Sequence, residues 1–149
     1  MAVIGVATAR RAPGRTTDVT HRHPIRVYYE DTDLAGIVYY ANYLKFIERA
    51  RSEWVRGLGI DQARLKAEAG LVFAVRRVEA DYLAPARFDD LLDVETSVEA
   101  ATPVRLTLRQ DVLRGAERLF SARVVLVALA GSGRPARLPA EIRQSVGPV

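Results

Sequence analysis

From Pro24 the chain alternates apolar and polar positions. Ile25, Val27 and Tyr29 are set apart by Arg26 and Tyr28, the two-residue period of a half-buried strand. Asp31, Thr32, Asp33 and Gly36 break that period. A three- and four-residue spacing follows. Tyr43, Phe46, Ile47, Ala50, Trp54 and Leu58 form one apolar stripe, with Lys45, Arg49, Glu53 and Arg56 largely on the other side. Asn42 stands where a helix cap is needed, and Gly57 and Gly59 stop the run. The spacing predicts a helix of about 16 residues, roughly 24 Å long.

A shorter helix is expected over Asp61–Ala69, stopped by Gly70, after which the helical period does not return. Leu71–Leu83, Leu91–Ala100, Val104–Arg114 and Leu119–Ala130 read as strands, rich in valine and leucine or alternating. Pro85–Asp90, Ala101–Pro103 and Arg114–Glu117 supply the turns between them. Gly131-Ser-Gly133 has the glycines of a phosphate loop but no helix pattern behind it, so it reads as a plain turn. The order is strand, long helix, short helix, then four strands. It predicts an α+β fold, a five-stranded antiparallel sheet with the long helix across it. The free face or edge of such a sheet offers itself to a second subunit, so a homo-oligomer is expected.

Composition narrows the classes. The chain has 149 residues, enough for one domain with a sizeable core. No apolar run approaches the roughly 18 residues of a transmembrane helix, so no membrane insertion is expected. There is no cysteine, hence no disulfide, thiolate metal site or cysteine nucleophile, which suits a cytoplasmic protein. Of the net charge of +4, residues 1–22 carry +3, from Arg10, Arg11, Arg15 and Arg22 against Asp18. A nucleic-acid binder carries its basic residues on a folded face, so no nucleic-acid partner is expected. Residues 1–22 read as a disordered basic extension and residues 23–149 as the folded domain. The charge of the extension follows its short apolar run, the reverse of a signal peptide. His21 and His23 have a metal-ligand spacing but no third ligand nearby, and read as a solvated pair.

The candidate chemistry lies where strand gives way to helix. A helix start presents unpaired N–H groups to an anion or a polarised carbonyl. A carboxylate just upstream supplies a base or a nucleophile. Asp33 holds that place, and its residue type serves equally as a turn former that bonds its own backbone. Asp31 reads as a turn or strand-end residue. The Asp31–Asp33 spacing also matches a metal pair, but no nucleotide-binding feature accompanies it, and no metal is expected. Tyr43 and Trp54 read as core. Glu48 is placed to pair with a basic group or across a dimer.

The segment Arg26-Val-Tyr-Tyr-Glu-Asp-Thr-Asp-Leu-Ala-Gly-Ile-Val-Tyr-Tyr-Ala-Asn-Tyr-Leu-Lys-Phe-Ile-Glu-Arg-Ala-Arg51 resembles the hotdog-fold acyl-CoA thioesterases. Its nearest subgroup is the Tol-Pal-associated enzymes, with the 4-hydroxybenzoyl-CoA thioesterases nearby. Tyr82-Leu-Ala-Pro-Ala-Arg-Phe-Asp-Asp-Leu-Leu-Asp93 is similar to the same subgroup. The resemblance implies a hotdog fold, a long central helix wrapped by a curved sheet, assembled as dimers or tetramers with active sites between subunits. It implies hydrolysis of an acyl-CoA to free acid and CoA without a cofactor. It puts the catalytic carboxylate on Asp33, as nucleophile or general base, and backbone oxyanion donors around Tyr40. It also implies substrate contacts at Gly36, Ile37, Val38, Asn42 and Arg105. Two departures stand out. The Tol-Pal-associated subgroup usually has a histidine where this chain has Tyr40, and a tyrosine does not titrate near neutral pH as a histidine does. Only Arg105 lies near the turn where relatives place adjacent basic residues for the CoA phosphates. The rival reading is a hotdog module that binds an acyl thioester or a protein partner without turnover.

Overall fold

The structure is a computed structural model that describes residues 20–145; the extension expected over 1–22 lies outside that range up to residue 19. The first strand, β1 (His21–Arg26), starts earlier than the alternation suggests. Arg22 therefore belongs to the sheet and not to a tail: it pairs with Asp93 at 3.3 Å and with Glu95 across the neighbouring strand. Tyr29 does not extend β1. The Asp31 carboxylate accepts the Tyr28 N–H at 2.8 Å and closes a 3-10 turn over Tyr29–Asp31, which leaves Tyr29 79% exposed. Local side-chain bonding to the backbone has here overridden the strand period.

The long helix, α1 (Asn42–Gly57), has the expected 16 residues. The short helix α2 (Gln62–Ala69) is capped by Asp61, which accepts the Arg64 N–H at 3.1 Å, and ends at Gly70 in the left-handed region. The strands β2 (Val72–Tyr82), β3 (Leu91–Ala101), β4 (Arg105–Arg114) and β5 (Glu117–Leu129) follow. A two-residue strand β6 (Pro135–Ala136) returns on β5 after the Gly131–Gly133 turn, and a third helix, α3 (Ala140–Ser145), closes the described chain. The sheet thus has six strands rather than five, in the order β1-β3-β4-β5-β2, with β6 beside β5, all antiparallel. Neither β6 nor α3 is long enough to show a period; α3 is held by Ile142, which is fully buried.

The apolar stripe of α1 lies over β1, β3 and β4. Phe46, Ile47 and Ala50 meet Leu92, Val94, Leu106, Leu108 and Val112, all essentially without exposure. Each large side chain buried there contributes about 1.5–3 kcal/mol. Tyr43 and Trp54 belong to the same core. Gln110 and Thr96 are buried with them. Gln110 donates to the Ile47 carbonyl and to Thr96 Oγ1, each at 2.9 Å, and accepts from Arg51 at 2.9 Å, tying the helix to the sheet. Register shifts in the β2–β5, β3–β4 and β4–β5 pairings bend the sheet around α1.

The helix leaves β2 uncovered. Phe73, Val75, Val78 and Tyr82 pair with the inward residues of β5, yet Val75, Val78 and Tyr82 are 45%, 39% and 48% exposed. Among the described residues β2 pairs only with β5, which leaves its other edge open.

Candidate functional site

Asp33 and the start of α1 are brought together by a loop that folds back on itself. Thr32 bridges Val38, the Asp33 N–H donates to Ile37 O at 2.9 Å, and the Gly36 N–H donates to Asp33 O at 2.9 Å. Gly36 has φ +83°, a conformation that side chains with a Cβ rarely adopt, and it makes the reversal possible. The Tyr39 N–H then donates to Asp31 O at 2.8 Å, so the chain enters α1 alongside the residues that precede Asp33. The Val38 N–H donates to Ala86 O at 2.9 Å, and Ile37 bridges Arg87. The loop is thereby fastened to the segment between β2 and β3, which is the second block singled out in the sequence.

The two acids of the loop have different surroundings. Asp31 is 4% exposed; one carboxylate oxygen accepts the Tyr28 N–H and the other accepts the Asn42 side-chain amide at 2.8 Å. Asp33 is half-buried, and only its Oδ1 is engaged, by the Ala35 N–H at 2.9 Å and more distantly by the Ile37 N–H at 3.4 Å. Among the described residues its Oδ2 has no partner. One oxygen holds the carboxylate in place and the other is available to substrate or water.

The helix start carries the complementary groups. Ala41 is the N-cap residue of α1 and has no side-chain cap bond. Asn42 was expected to cap the helix; it is instead the first helical residue, buried, with its amide spent on Asp31. The cap is vacant because the N-cap position falls one residue earlier, on Ala41, whose methyl group cannot accept a hydrogen bond. The Asn42 N–H donates to Tyr39 O at 2.8 Å and the Leu44 N–H to Ala41 O at 3.1 Å. Among the described residues, the N–H groups of Tyr40 and Ala41 donate to no acceptor. Two adjacent donors at the positive end of a 16-residue helix suit a developing oxyanion.

The other expected site residues are distributed as follows. Gly36 is exposed at the loop tip and Ile37 is half-buried beside Asp33. Val38 is 3% exposed and its side chain belongs to the core. The Tyr40 ring is exposed and meets Tyr39 and Tyr82 at 5.0 and 6.2 Å between centroids. Arg105 starts β4, seven residues along the strand from Val112, which pairs with Phe120 beside Tyr82. At about 3.3 Å per residue, that puts Arg105 more than about 20 Å from the Asp33 end of the same chain. Glu48 accepts from Ser52 Oγ at 2.7 Å and lines a cavity of about 220 Å³ with Arg51, Val55, Phe73 and Val75 on the bare flank of α1. Burial lowers the pKa of the Arg51 guanidinium, with the nearby Glu48 charge acting in the opposite sense.

Sequence reasoning missed Tyr82 as a site residue. Its hydroxyl donates to the Tyr40 carbonyl at 2.8 Å, and only its place in the Tyr82–Asp93 block hinted at a role. Burial, with Tyr40 and Tyr43 nearby, pushes its phenol pKa up. The Asp89–Asp90 pair is structural. Asp90 accepts the Arg87 N–H at 2.9 Å and Arg114 Nη1 at 2.8 Å, and Asp89 occupies a left-handed turn position at φ 72°. A larger trough of about 510 Å³ lies on the opposite face of the sheet, where Arg123 and Glu99 neutralise each other at 2.6 Å. Among the described residues no three histidine, cysteine or acidic side chains gather as a metal site, and no helix is long and apolar enough to cross a membrane.

Comparisons with known proteins bear on the fold and the family. Residues 35–121 match the Thioesterase superfamily. The chain is 40% identical over 121 residues to the acyl-CoA thioesterase YbgC of Haemophilus influenzae, covering 80% of this chain and 89% of that protein. It is 42% identical over 106 residues to the acyl-CoA thioester hydrolase YbgC of Escherichia coli O6:H1, covering 71% and 78%. A probable thioesterase from Bartonella henselae superposes with a TM-score of 0.79 at 36% identity, over 81% of this chain and all of that one. A mutant 4-hydroxybenzoyl-CoA thioesterase in complex with 4-hydroxybenzoyl-CoA superposes with a TM-score of 0.79 at 22% identity, over 86% and 99% of the two chains, a likeness of fold. With its catalytic loop candidate closed onto the start of the long helix, this chain belongs to the thioesterase superfamily, a thioester hydrolase on the hotdog fold.

Proposed function

We propose that the protein hydrolyses acyl-CoA thioesters to the free acid and CoA, with Asp33 as the catalytic carboxylate. The observation that carries this reading is the half-tethered Asp33, one oxygen bonded and one free, in the same folded loop as the unpaired Tyr40 and Ala41 N–H groups. As general base, the free oxygen takes a proton from water while the water oxygen adds to the thioester carbonyl. The oxyanion formed is held by the two N–H groups, the C–S bond breaks, and the CoA sulfur leaves to be protonated. As nucleophile, the same oxygen adds directly, and water then opens the acyl-aspartyl anhydride. Either route uses only the carboxylate, the helix-start donors and water. The Tyr40 side chain need not titrate, because the donor is its backbone.

The working unit is read as a homodimer or a dimer of dimers in the cytoplasm, where acyl-CoA is found. The open β2 edge and the uncovered Phe73, Val75, Val78 and Tyr82 support this, since an unpaired edge with an apolar inner face invites a strand from a second copy. Antiparallel β2–β2 pairing would bring the Arg105 end of one copy beside the Asp33 end of the other. That would give Arg105 a phosphate to meet, which it lacks within one chain.

The test is free-CoA release from short, long and aromatic acyl-CoAs by wild type and by Asp33→Asn. Turnover by wild type and its collapse in the variant is the expected result. Full activity in Asp33→Asn would remove Asp33 from the chemistry. Acyl-CoA binding without turnover by the wild type would favour a binding module.

A further inference from the structure

The geometry points to Tyr82 as a positioning residue for thioester hydrolysis, acting through the Tyr40–Ala41 peptide. The inference rests on the catalytic reading of Asp33 and the helix-start donors given above. Tyr40 lies just outside α1, and its carbonyl takes no backbone bond among the described residues; Leu44, which would reach it in a continuous helix, donates to Ala41 O instead. The Tyr82 hydroxyl occupies that carbonyl at 2.8 Å. In a trans peptide the C=O and the following N–H point in opposite directions, so holding the Tyr40 oxygen sets where the free Ala41 N–H points. A hydrogen bond at the oxygen also polarises the amide and strengthens its N–H as a donor, by roughly 10–30%.

The ring of Tyr82 is itself fixed from below. It packs edge-on against Phe120 at 5.1 Å and Tyr43 at 5.6 Å, both in the core, while its backbone pairs with Phe120 across the sheet. Tyr43 is held in turn by stacking on Phe120 at 4.9 Å and by accepting the Ala86 N–H at 3.1 Å. A rigid aromatic stack thus reaches from the core to one exposed carbonyl at the helix start. The Tyr39–Tyr40 peptide is fixed independently, by the Asn42 N–H on Tyr39 O. The two donors therefore have separate supports, and Tyr82 serves only that of Ala41.

Tyr82→Phe removes the hydroxyl and keeps the ring contacts. Its melting temperature is expected to match wild type and its KM for acyl-CoA to stay within about twofold. Its kcat is expected to fall about tenfold, short of the roughly 10²- to 10³-fold cost of deleting a whole oxyanion donor. An unchanged kcat, or a loss confined to KM, would overturn the proposal, because a hydroxyl that only packs or touches substrate does not produce the kcat-specific loss. Asp33→Asn is assayed beside it. If that variant is inactive while Tyr82→Phe behaves as wild type, the Tyr82 proposal alone fails. If Asp33→Asn is fully active, the catalytic reading fails and takes the Tyr82 proposal with it.

Discussion

Asp31 and Asp33 are the same residue two positions apart in one loop, and the fold uses them in opposite ways. Asp31 is buried, with both oxygens bonded, one to the Tyr28 N–H and one to Asn42. It pins the end of the first strand segment to the first turn of α1. Asp33 is half-buried, bonded through one oxygen and open at the other. A buried carboxylate is tolerated only when its lone pairs are satisfied, and a satisfied carboxylate has nothing left for a substrate. The fully bonded acid therefore ends up inside and the half-bonded acid, the proposed catalyst, at the surface, with the backbone reversal at Gly36 between Asp33 and the helix.

If that division holds, the two positions separate activity from stability, and the largest effect belongs to Asp33. Asp33→Asn should lower kcat about 10²- to 10⁴-fold while leaving the urea midpoint near wild type. Asp31→Ala should do the reverse in kind. Its loss strands the Asn42 amide and the Tyr28 N–H, at about 1–3 kcal/mol for each unsatisfied group, so unfolding should show roughly 2–6 kcal/mol of destabilisation. A folded Asp31→Ala protein with unaltered stability would break the comparison.

Asn42→Asp sharpens it through pH. The substitution sets two carboxylates within bonding distance in a buried site, where both cannot ionise and one pKa rises. A folded pKa above the unfolded value gives stability that is fully present below about pH 4 and lost as pH rises through the raised pKa. Denaturation curves of Asn42→Asp should therefore show a loss of about 2 kcal/mol at neutral pH that recovers in acid.

The smallest effect concerns Asp90, which fastens the turn carrying the loop's second attachment. Burial alone would raise its pKa, but the Arg87 N–H and Arg114 together hold it below the ordinary carboxylate value. A lowered folded pKa gives stability present above the unfolded pKa near 4 and lost as pH falls through the folded one. Asp90→Asn should cost about 1 kcal/mol at neutral pH, and its melting curve should converge on wild type as pH falls below about 4.

Local pattern made most of the frame readable. The stripe from Tyr43 to Trp54, the glycines after it and the valine-rich runs beyond Gly70 depend on periodicity and turn chemistry, which neighbouring residues decide among themselves. The strand–acid–helix order also marked Asp33, since a carboxylate before a helix start is visible in one dimension. The same local view misplaced Tyr29 and Asn42. Each looked like a continuation or a cap, and each was redirected by Asp31, whose burial depends on the rest of the fold. Tyr82 was out of reach because its partner is Tyr40, 42 residues away, and no local period encodes such a contact.

What the sequence determined by itself was therefore the inventory: one long amphipathic helix, a set of antiparallel strands, an acidic loop between strand and helix, and no cysteine to do other chemistry. Tertiary structure decided how the two aspartates divide their work, which helix-start N–H groups stay unpaired, and that the helix covers only part of the sheet, leaving the inner face of β2 bare. The physical reason is common to all three. Periodicity and turn preference are set within a few residues, whereas burial, hydrogen-bond satisfaction and uncovered area exist only once segments distant in sequence have packed together.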